Sequence, residues 1–425
     1  MPALNDILLT IGGAETTAGS AVAREYALPL RAIPTLRKMV ERDIDPAIVG
    51  LGMDSGEYAV ADNVGGTLPL TLRASGAMGQ ILKSLLGTEG TPTSAAAMMR
   101  IRYTGSEDSA KITVSGDDLT ASVGNLASEA ADTDFNTTGL YDLTSVAGVV
   151  TAVAEIAAFT NYDAEKVFGP DNTTAANAVA TELQGKNVWA YINMTGTTTA
   201  YRHTFTANFT AGTERPTYSI QSDGFQDRYL HDGCVVESLS MAATLKGMVE
   251  GDAEILGMSE TASPTASALV LEDIGPMIFH DGSFTIDGTE YTFIRSMSLL
   301  IKNNHNPEGY GQGSISRLYH QRGKLDITGT VQLRLDSNSV LERAKVVTGA
   351  LAGISFYFQS PEDISTDVPY QMIVELPYCT ISDFEFTENA GQIDASVTFK
   401  ALSPKGTRYN DPITIHLITD DSGAY

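Results

Sequence analysis

Residues 323–336, GKLDITGTVQLRLD, alternate without a break. Leu325, Ile327, Gly329, Val331, Leu333 and Leu335 fall on one side of an extended chain, and Lys324, Asp326, Thr328, Thr330, Gln332 and Arg334 fall on the other. A period of two means a strand with one dry face and one wet face. A wet face that carries both signs of charge can be plain surface, a ligand platform or the wall of a channel. The rest of the chain has to decide between them.

The neighbourhood of this strand has a counterpart near the N-terminus. REYALPLRAIP (24–34) reads as extended, a polar loop runs from Thr35 to about Gly66, and TLPLTLRA (67–74) points Leu68, Leu70 and Leu72 inward. GAMGQILKSLLG follows with Met78, Ile81, Leu82 and Leu85 at helical spacing and Gly87 at the C-terminal cap. The later copy has the same order. TEYTFIRSMSLLIK (289–302) is a strand, 303–322 is a Gly- and Asn-rich loop, and the alternating strand follows. SNSVLERAKVVTG then predicts a helix with Ser337 as N-cap, Val340, Leu341, Ala344 and Val347 on one face, and Gly349 as the stop. Both copies continue into a hairpin that starts at a cysteine, CVVESLSMAATLKGMVEGDAEIL from Cys234 and CTISDFEFTENAGQIDASVTF from Cys379, with turns at Gly247 and Gly391. These are the only two cysteines, which makes their shared placement a mark of tandem duplication.

Between the parts of the first copy lies extra material, residues 98–195. It holds an alternating segment with Ile112 and Val114, a polar stretch, a helical stripe of Val146, Val149, Val150, Val153 and Ile156, and the single tryptophan, Trp189. It reads as an inserted α/β unit hung on the first copy through a solvent-facing loop.

Charge narrows the function. Against 27 Lys and Arg stand 52 Asp and Glu, a net −25 spread along the chain, and no dense cationic cluster exists to displace counterions from nucleic acid. Such a surface suits solubility, a salty habitat, or a wall past which nucleic acid moves without sticking. The cysteines lack metal-ligand spacing and read as buried apolar residues, so no cofactor or metal is expected. MPALNDILLTIGG lacks a basic start and a long apolar run, and 145–159 is too short and too polar to span a bilayer. Synthesis and folding in a cytoplasm are the expectation.

Chemical motifs are sparse. HDG occurs at His231–Gly233 and His280–Gly282, but Asp-Gly before a strand reads as a turn. His203, His305, His320 and His416 are scattered, and no GxSxG elbow exists. EAADTDFNTTG and FGPDNTT do not match a calcium loop, and GYGQGS joins strand to strand without opening a helix. Phe384, Phe386 and Phe399 read as core residues, and RLYHQR as a contact segment. An enzymatic reading has no site.

The order of strand, long loop, strand (GTLPLTLRA, GKLDITGTVQLRL), short helix and Cys-started hairpin resembles the tail tube proteins of long, non-contractile-tailed phages and related viruses. The resemblance covers 1–97 and 196–425. It implies a mainly β fold of two tandem β-sandwich or half-barrel modules, 1–97 with 196–260 and then 261–425, each with a short helix, and 98–195 as an accessory domain. It also implies self-assembly into stacked rings around a hollow tube, as trimers with pseudo-sixfold rings or, alternatively, as hexamers. Tape-measure and tail-terminator or tip proteins are the implied partners, and DNA passes through without tight binding. The location implied is the virion tail, assembled in the host cytoplasm, with no membrane binding by this chain.

The long loops then become contacts between rings or subunits, through Arg37, Lys38, Glu41 and Arg42 in the first and Tyr310, Arg317, Tyr319 and His320 in the second. Asp326, Asp383 and Glu385 are lumen candidates, since they are acids opposite an apolar strand face; exterior surface is the alternative for each. A β-rich adhesin or receptor-binding tail protein is the alternative function.

Overall fold

The computed structural model describes residues 8–44, 57–107, 109–115, 118–125, 128–132, 140–142, 148–171, 189–194, 199–209, 215–224, 227–262, 265, 272–306, 309–335, 337–389, 391–403 and 411–425. The chain opens with β1 (Leu8–Ala14), β2 (Arg24–Ala27), β3 (Arg37–Ile44), β4 (Glu57–Thr71) and α1 (Gly76–Leu86). It continues through β5 (Gly87–Glu89), β6 (Thr93–Ser94), β7 (Ala97–Tyr103), β8 (Ser109–Ser115), β9 (Asp118–Asn125), β10 (Ser128–Ala131), β11 (Leu140–Asp142), α2 (Val149–Ile156), β12 (Tyr162–Phe168) and β13 (Trp189–Met194). Next come β14 (Tyr201–Ala207), β15 (Tyr218–Gly224), β16 (Asp227–Thr244), β17 (Glu250–Gly257) and β18 (Ser259–Ala262). The remainder is β19 (Ile278–Ile286), β20 (Thr289–Glu290), β21 (Ile294–Lys302), β22 (Asp326–Arg334), α3 (Ser337–Thr348), β23 (Leu351–Ser365), β24 (Val368–Asn389), β25 (Gln392–Ala401) and β26 (Thr414–Thr419). The fold is mainly β.

The alternating segment forms β22, with Ile327, Gly329, Val331 and Leu333 buried and the residues between them half-exposed. Gly329 has a packing reason. A Cβ there would lie 2.3 Å from the Phe399 ring and 2.7 Å from the Ser298 carbonyl oxygen. β22 lies in an antiparallel wall whose successive pairings are β3 with β4, β4 with β17, β17 with β16, β16 with β21, β21 with β22, β22 with β25, and β25 with β24. The dry face of the wall contributes Leu68, Leu70, Leu239, Leu299, Val331 and Val397 to the main core. Each such fully buried side chain stabilises the fold by roughly 1.5–3 kcal/mol.

A second layer covers that core. β1 pairs with β2 and β15, and β15 pairs with the first part of β16. β19 pairs with β23, and β23 with the first part of β24. The long strands β16 and β24 therefore belong to both layers and pass between them at bulges, a known way to turn a sheet corner. The irregularities coincide. Tyr218 faces Cys234 and Ile220 faces His231, while Ala352 faces Cys379 and Ile354 faces Leu376. Past the cysteine, the pairing slips again between Val236 and Ser238 in one hairpin and between Ile381 and Asp383 in the other. Both cysteines are free and buried, and each thiol points to the carbonyl three residues earlier, His231 or Leu376.

Some expectations change. The stretch 35–66 is not a plain loop, because 37–44 and 57–66 are strand; residues 45–56 lie outside the described ones. Both HDG triplets sit inside strands at irregular pairings and not in turns, with Gly233 at φ 62°. In the first hairpin the left-handed residue is Lys246 (φ 69°), whereas Gly247 donates its N–H to Thr244 O at 2.8 Å. α1 follows its periodicity, capped by Ser75, whose side chain accepts the Met78 N–H, and ended by Gly87 (φ 92°). α3 does not: Ser337 is its first helical residue, Ala344 is exposed and Val347 is 85 % exposed. The side chains of Val340 and Leu341 lie outside the described ones. Val346 is the valine packed on the core.

The material within 98–195 is richer in strand than expected. Sheets β12-β7-β13 and β8-β9 with β10 and β11 enclose a separate core with α2. α2 buries Val149, Ala152 and Ile156 and leaves Val150 exposed; Val146 lies outside the described residues. This unit does not hang free from the first copy. Met98, Phe168, Trp189 and Tyr191 share a cluster with Val368, Ile373 and Ile418 of β24 and β26. Arg102 donates to Asp287 O at 2.6 Å, and Trp189 lies beneath the guanidinium groups of Arg100 and Arg102. β14 likewise pairs with β26.

Candidate assembly surface

The wet face of the wall is dominated by small hydroxyl side chains. Ser238 and Ser240 come from β16, Ser296 and Ser298 from β21, Thr328 and Thr330 from β22, and Ser396 and Thr398 from β25. They share this face because strand residues two apart point the same way and the neighbouring strands are in register. Charges on it occur mostly as pairs. Lys400 reaches Asp326 at 2.5 Å, Arg295 reaches Asp394 at 2.5 Å, and Arg31 reaches Asp252 at 2.7 Å. The lumen candidate Asp326 is thus neutralised by its neighbour. Asp383 and Glu385 lie together on β24 at the end of the wall, both exposed, and Asp383 Oδ1 accepts the Phe384 N–H at 2.8 Å.

Both ends of the wall are open. Beyond Ile381, β24 pairs only with β25, and among the described residues no strand joins its other side. At the opposite end, residues 29–44 run along β4, and among the described residues no other strand pairs with them: Thr35 N–H donates to Thr67 O at 3.0 Å and Arg37 faces Gly65. Large apolar side chains are exposed at both ends, Ile33, Met39, Val40 and Tyr58 at one and Phe386 and Ile393 at the other. Phe386, expected in the core, is 52 % exposed, whereas Phe399 is buried and Phe384 packs against the core edge. Open, apolar edges of this length are a hazard in a monomer and a docking surface in an assembly.

The sequence-selected contact residues divide. Arg37, Lys38, Glu41 and Arg42 lie on β3, which is exposed along its whole length; Lys38 Nζ reaches Asp62 at 2.5 Å and Arg42 reaches Glu57 at 3.6 Å. Tyr319 is exposed. Tyr310 instead donates to Asp62 O at 3.2 Å, and Arg317 and His320 are buried within the chain. The reason is the bulged residue Glu237. Its carboxylate accepts the His305 backbone N–H at 3.0 Å and meets the His305 ring at 2.5 Å, while the His320 ring donates to Gly233 O at 2.7 Å. Residues 303–306 and 309–322 are thereby pinned onto β16, and Ile315 O accepts the Asp62 N–H of β4. Burial pushes the imidazole of His320 down to about 4, and that of His231 likewise, so both rings are neutral at pH 7. Sequence gave no signal for this pinning, because Glu237 carries it only once the bulge aims it inward.

Among the described residues no group of three or more His, Cys, Asp or Glu could hold a metal ion, and no helix is long and apolar enough to cross a membrane. FGPDNTT and EAADTDFNTTG lie partly outside the described residues. In comparisons with known proteins, a family model described as phage tail tube protein matches residues 5–401. No curated protein matches the chain.

Proposed function

Because the chain belongs to the phage tail tube protein family, a structural family of the virion tail, we propose that it contains two tandem tube modules and that three copies close into one pseudo-sixfold ring. Stacked rings form the tail tube, the wet face of the wall lines the bore, and DNA passes along it. Assembly takes place in the host cytoplasm, with a length-setting tape-measure protein inside the growing tube and terminator or tip proteins at its ends.

The observation that carries this reading is the single wall from β3 to β24, wet on one face, dry on the other and, among the described residues, unpaired at both edges. Closing such a wall upon copies of itself removes every edge, as barrel closure does. The matched slips around Cys234 and Cys379 support two equivalent modules, hence three chains in place of six. The hydroxyl-rich face supports the bore: Arg31, Arg295 and Lys400 each hold a carboxylate, which leaves few cations to trap phosphate along many stacked rings.

Negative-stain images of the purified protein at rising concentration test this. Hollow tubes, with native mass spectra of the ring at three chain masses, are the expected result. Six chain masses would replace the trimer by the hexamer, and persistent monomers that bind glycans would favour the adhesin.

A further inference from the structure

Within the wall one seam joins the repeated halves, and that seam specifies the one the wall lacks. β16 and β21 come from different halves and pair antiparallel, with Leu239 opposite Ile301, Ser240 opposite Leu300 and Met241 opposite Leu299. β16 corresponds to β24 through the cysteines and the bulges that follow them, so Ser240 corresponds to Glu385. The other side follows from β4 and β22. Thr67 faces Glu254 as Thr330 faces Thr398, which superposes GTLPLTL on GTVQLRL. Thr35 is bonded to Thr67, and Ser298 faces Thr330, so Leu300 corresponds to Arg37.

We propose that the open edge of β24, residues 383–389, pairs antiparallel with residues 33–39 of a second copy, with Glu385 directly opposite the partner's Arg37. The proposal rests on the ring-forming reading above and fixes its register. Three features of the isolated chain agree with it. Opposite charges meet where neutral Ser240 and Leu300 meet inside the chain. Phe386 comes beside the partner's Leu36, as Met241 comes beside Leu299, and so loses its exposure. Phe384 comes opposite the partner's Lys38, and the N–H groups of these two residues are each capped by a carboxylate at 2.8 Å, Asp383 Oδ1 on Phe384 and Glu260 Oε2 on Lys38. A side-chain oxygen stands on each where the partner strand's carbonyl would be. The exchanged pair at 384 and 38 makes 385 and 37 a non-hydrogen-bonded pair, the closer kind, suited to a cross-strand disulfide.

The test mixes full-length Glu385→Cys with full-length Arg37→Cys under a mild oxidant, after each has been shown to melt like the unmodified protein. The native cysteines are buried and give little background. Linked dimers should form on the order of tenfold faster than from Glu385→Cys mixed with Glu41→Cys, and the doubly substituted chain should give covalently closed trimers. Ser240→Cys with Leu300→Cys in one chain is the internal control, expected to close as an intrachain bond. Tubes in which 385 links to 41, or to neither position while the control closes, overturn the register and leave the tube reading standing. Persistent monomers overturn both.

Discussion

Strand β16 at its paired seam with β21 and β24 at its open edge stand at the same distance past a cysteine and a bulge, yet their chemistry differs. The seam is neutral: Ser240, Ala242 and Thr244 on its wet side and Leu239, Met241 and Ala243 beneath. At the matching places the edge has Glu385 and Thr387 on the wet side and Phe384, Phe386 and Glu388 on the opposite face, where Phe386 and Glu388 are exposed. A seam closed at folding never meets a competitor, so it can be bland. An edge that waits in solution gains from charge, which opposes pairing with the wrong strand and rewards the right one. The same contrast separates the helices: α1 is buried almost throughout and Tyr425 covers it at Gly79, whereas α3 leaves Val347 bare.

Proline at matched positions should break this comparison most sharply. Ala243→Pro removes a ladder bond from the middle of the wall and leaves a buried carbonyl without its donor, which should cost on the order of 1–3 kcal/mol before any ring clash, seen as a large drop in the melting temperature of the monomer. Glu388→Pro, at the corresponding place on the edge, acts on an N–H that alternates with that of Phe384 and so faces the open side. It should change monomer stability by less than about 1 kcal/mol and still abolish tubes in negative stain. Equal melting losses for the two variants would mean that the edge is already covered within one chain.

What could be read from the sequence follows from where its information is local. The period of β22, the Leu68, Leu70 and Leu72 stripe and the Gly87 cap each depend on neighbours along the chain, and each predicted its element; the cysteines, read as the starts of two hairpins, lie inside β16 and β24, which begin at Asp227 and Val368. The misses depend on distant partners. α3 carries Val347 in a helical stripe, but its buried polar residue Glu342, bonded to Tyr291 at 2.9 Å and to Lys345, turns the helix away from that stripe. Arg317 and His320 read as contact residues because nothing local announces Glu237 beneath them. The attachment of the 98–195 unit to β24 was equally hidden, since Tyr191 and Glu375 meet only in three dimensions.

That attachment gives the next largest effect. Glu375 is fully buried, accepting hydrogen bonds from Tyr191 (2.5 Å) and Ser355 (2.6 Å), and burial raises it to about 7 from its ordinary 4.5. Between those values the unfolded chain releases the proton while the folded chain keeps it, so stability falls as pH rises from 4.5 to 7 and then levels. The span is on the order of 3 kcal/mol, and Glu375→Gln should remove it in denaturant titrations across that range. A wild-type stability that does not change across this interval would show the carboxyl to be ionised in the fold.

The pinned residues 303–306 and 309–322 should respond in the opposite sense and more weakly. His320 and His231 are held near 4 by burial against 6.5 when free, so the unfolded state takes up protons first and stability falls as pH drops from 6.5 toward 4. Facing His320 are Arg317 and His305, which oppose its protonation, and Glu237 and Gly233 O, which favour it. Protection factors of the amides in 309–322, with the intrinsic pH dependence of exchange divided out, should therefore fall between pH 6.5 and 5 before the wall itself opens. Protection that falls equally in β22 would show that the segment is not released separately.

The smallest effect on the monomer is the most informative about assembly. Val347 projects from α3, and on the same helix the guanidinium of Arg343 lies 5.6 Å from the ring of Phe386 on the open edge. Its counterpart region on α1 lies under cover from other parts of the chain, so a bare valine beside an open edge is where the ring reading would place a second copy. Val347→Glu removes no buried contact and should shift monomer stability by less than about 0.5 kcal/mol. In a ring it places a charge against the neighbour's apolar residues, at a desolvation cost repeated at every junction. The expected outcome is a concentration threshold for tube formation raised at least several-fold, with unchanged melting. If tubes form at the unmodified threshold, α3 faces solvent on the outside of the ring, and the contrast between the two helices reflects only the cover that Tyr425 gives to α1.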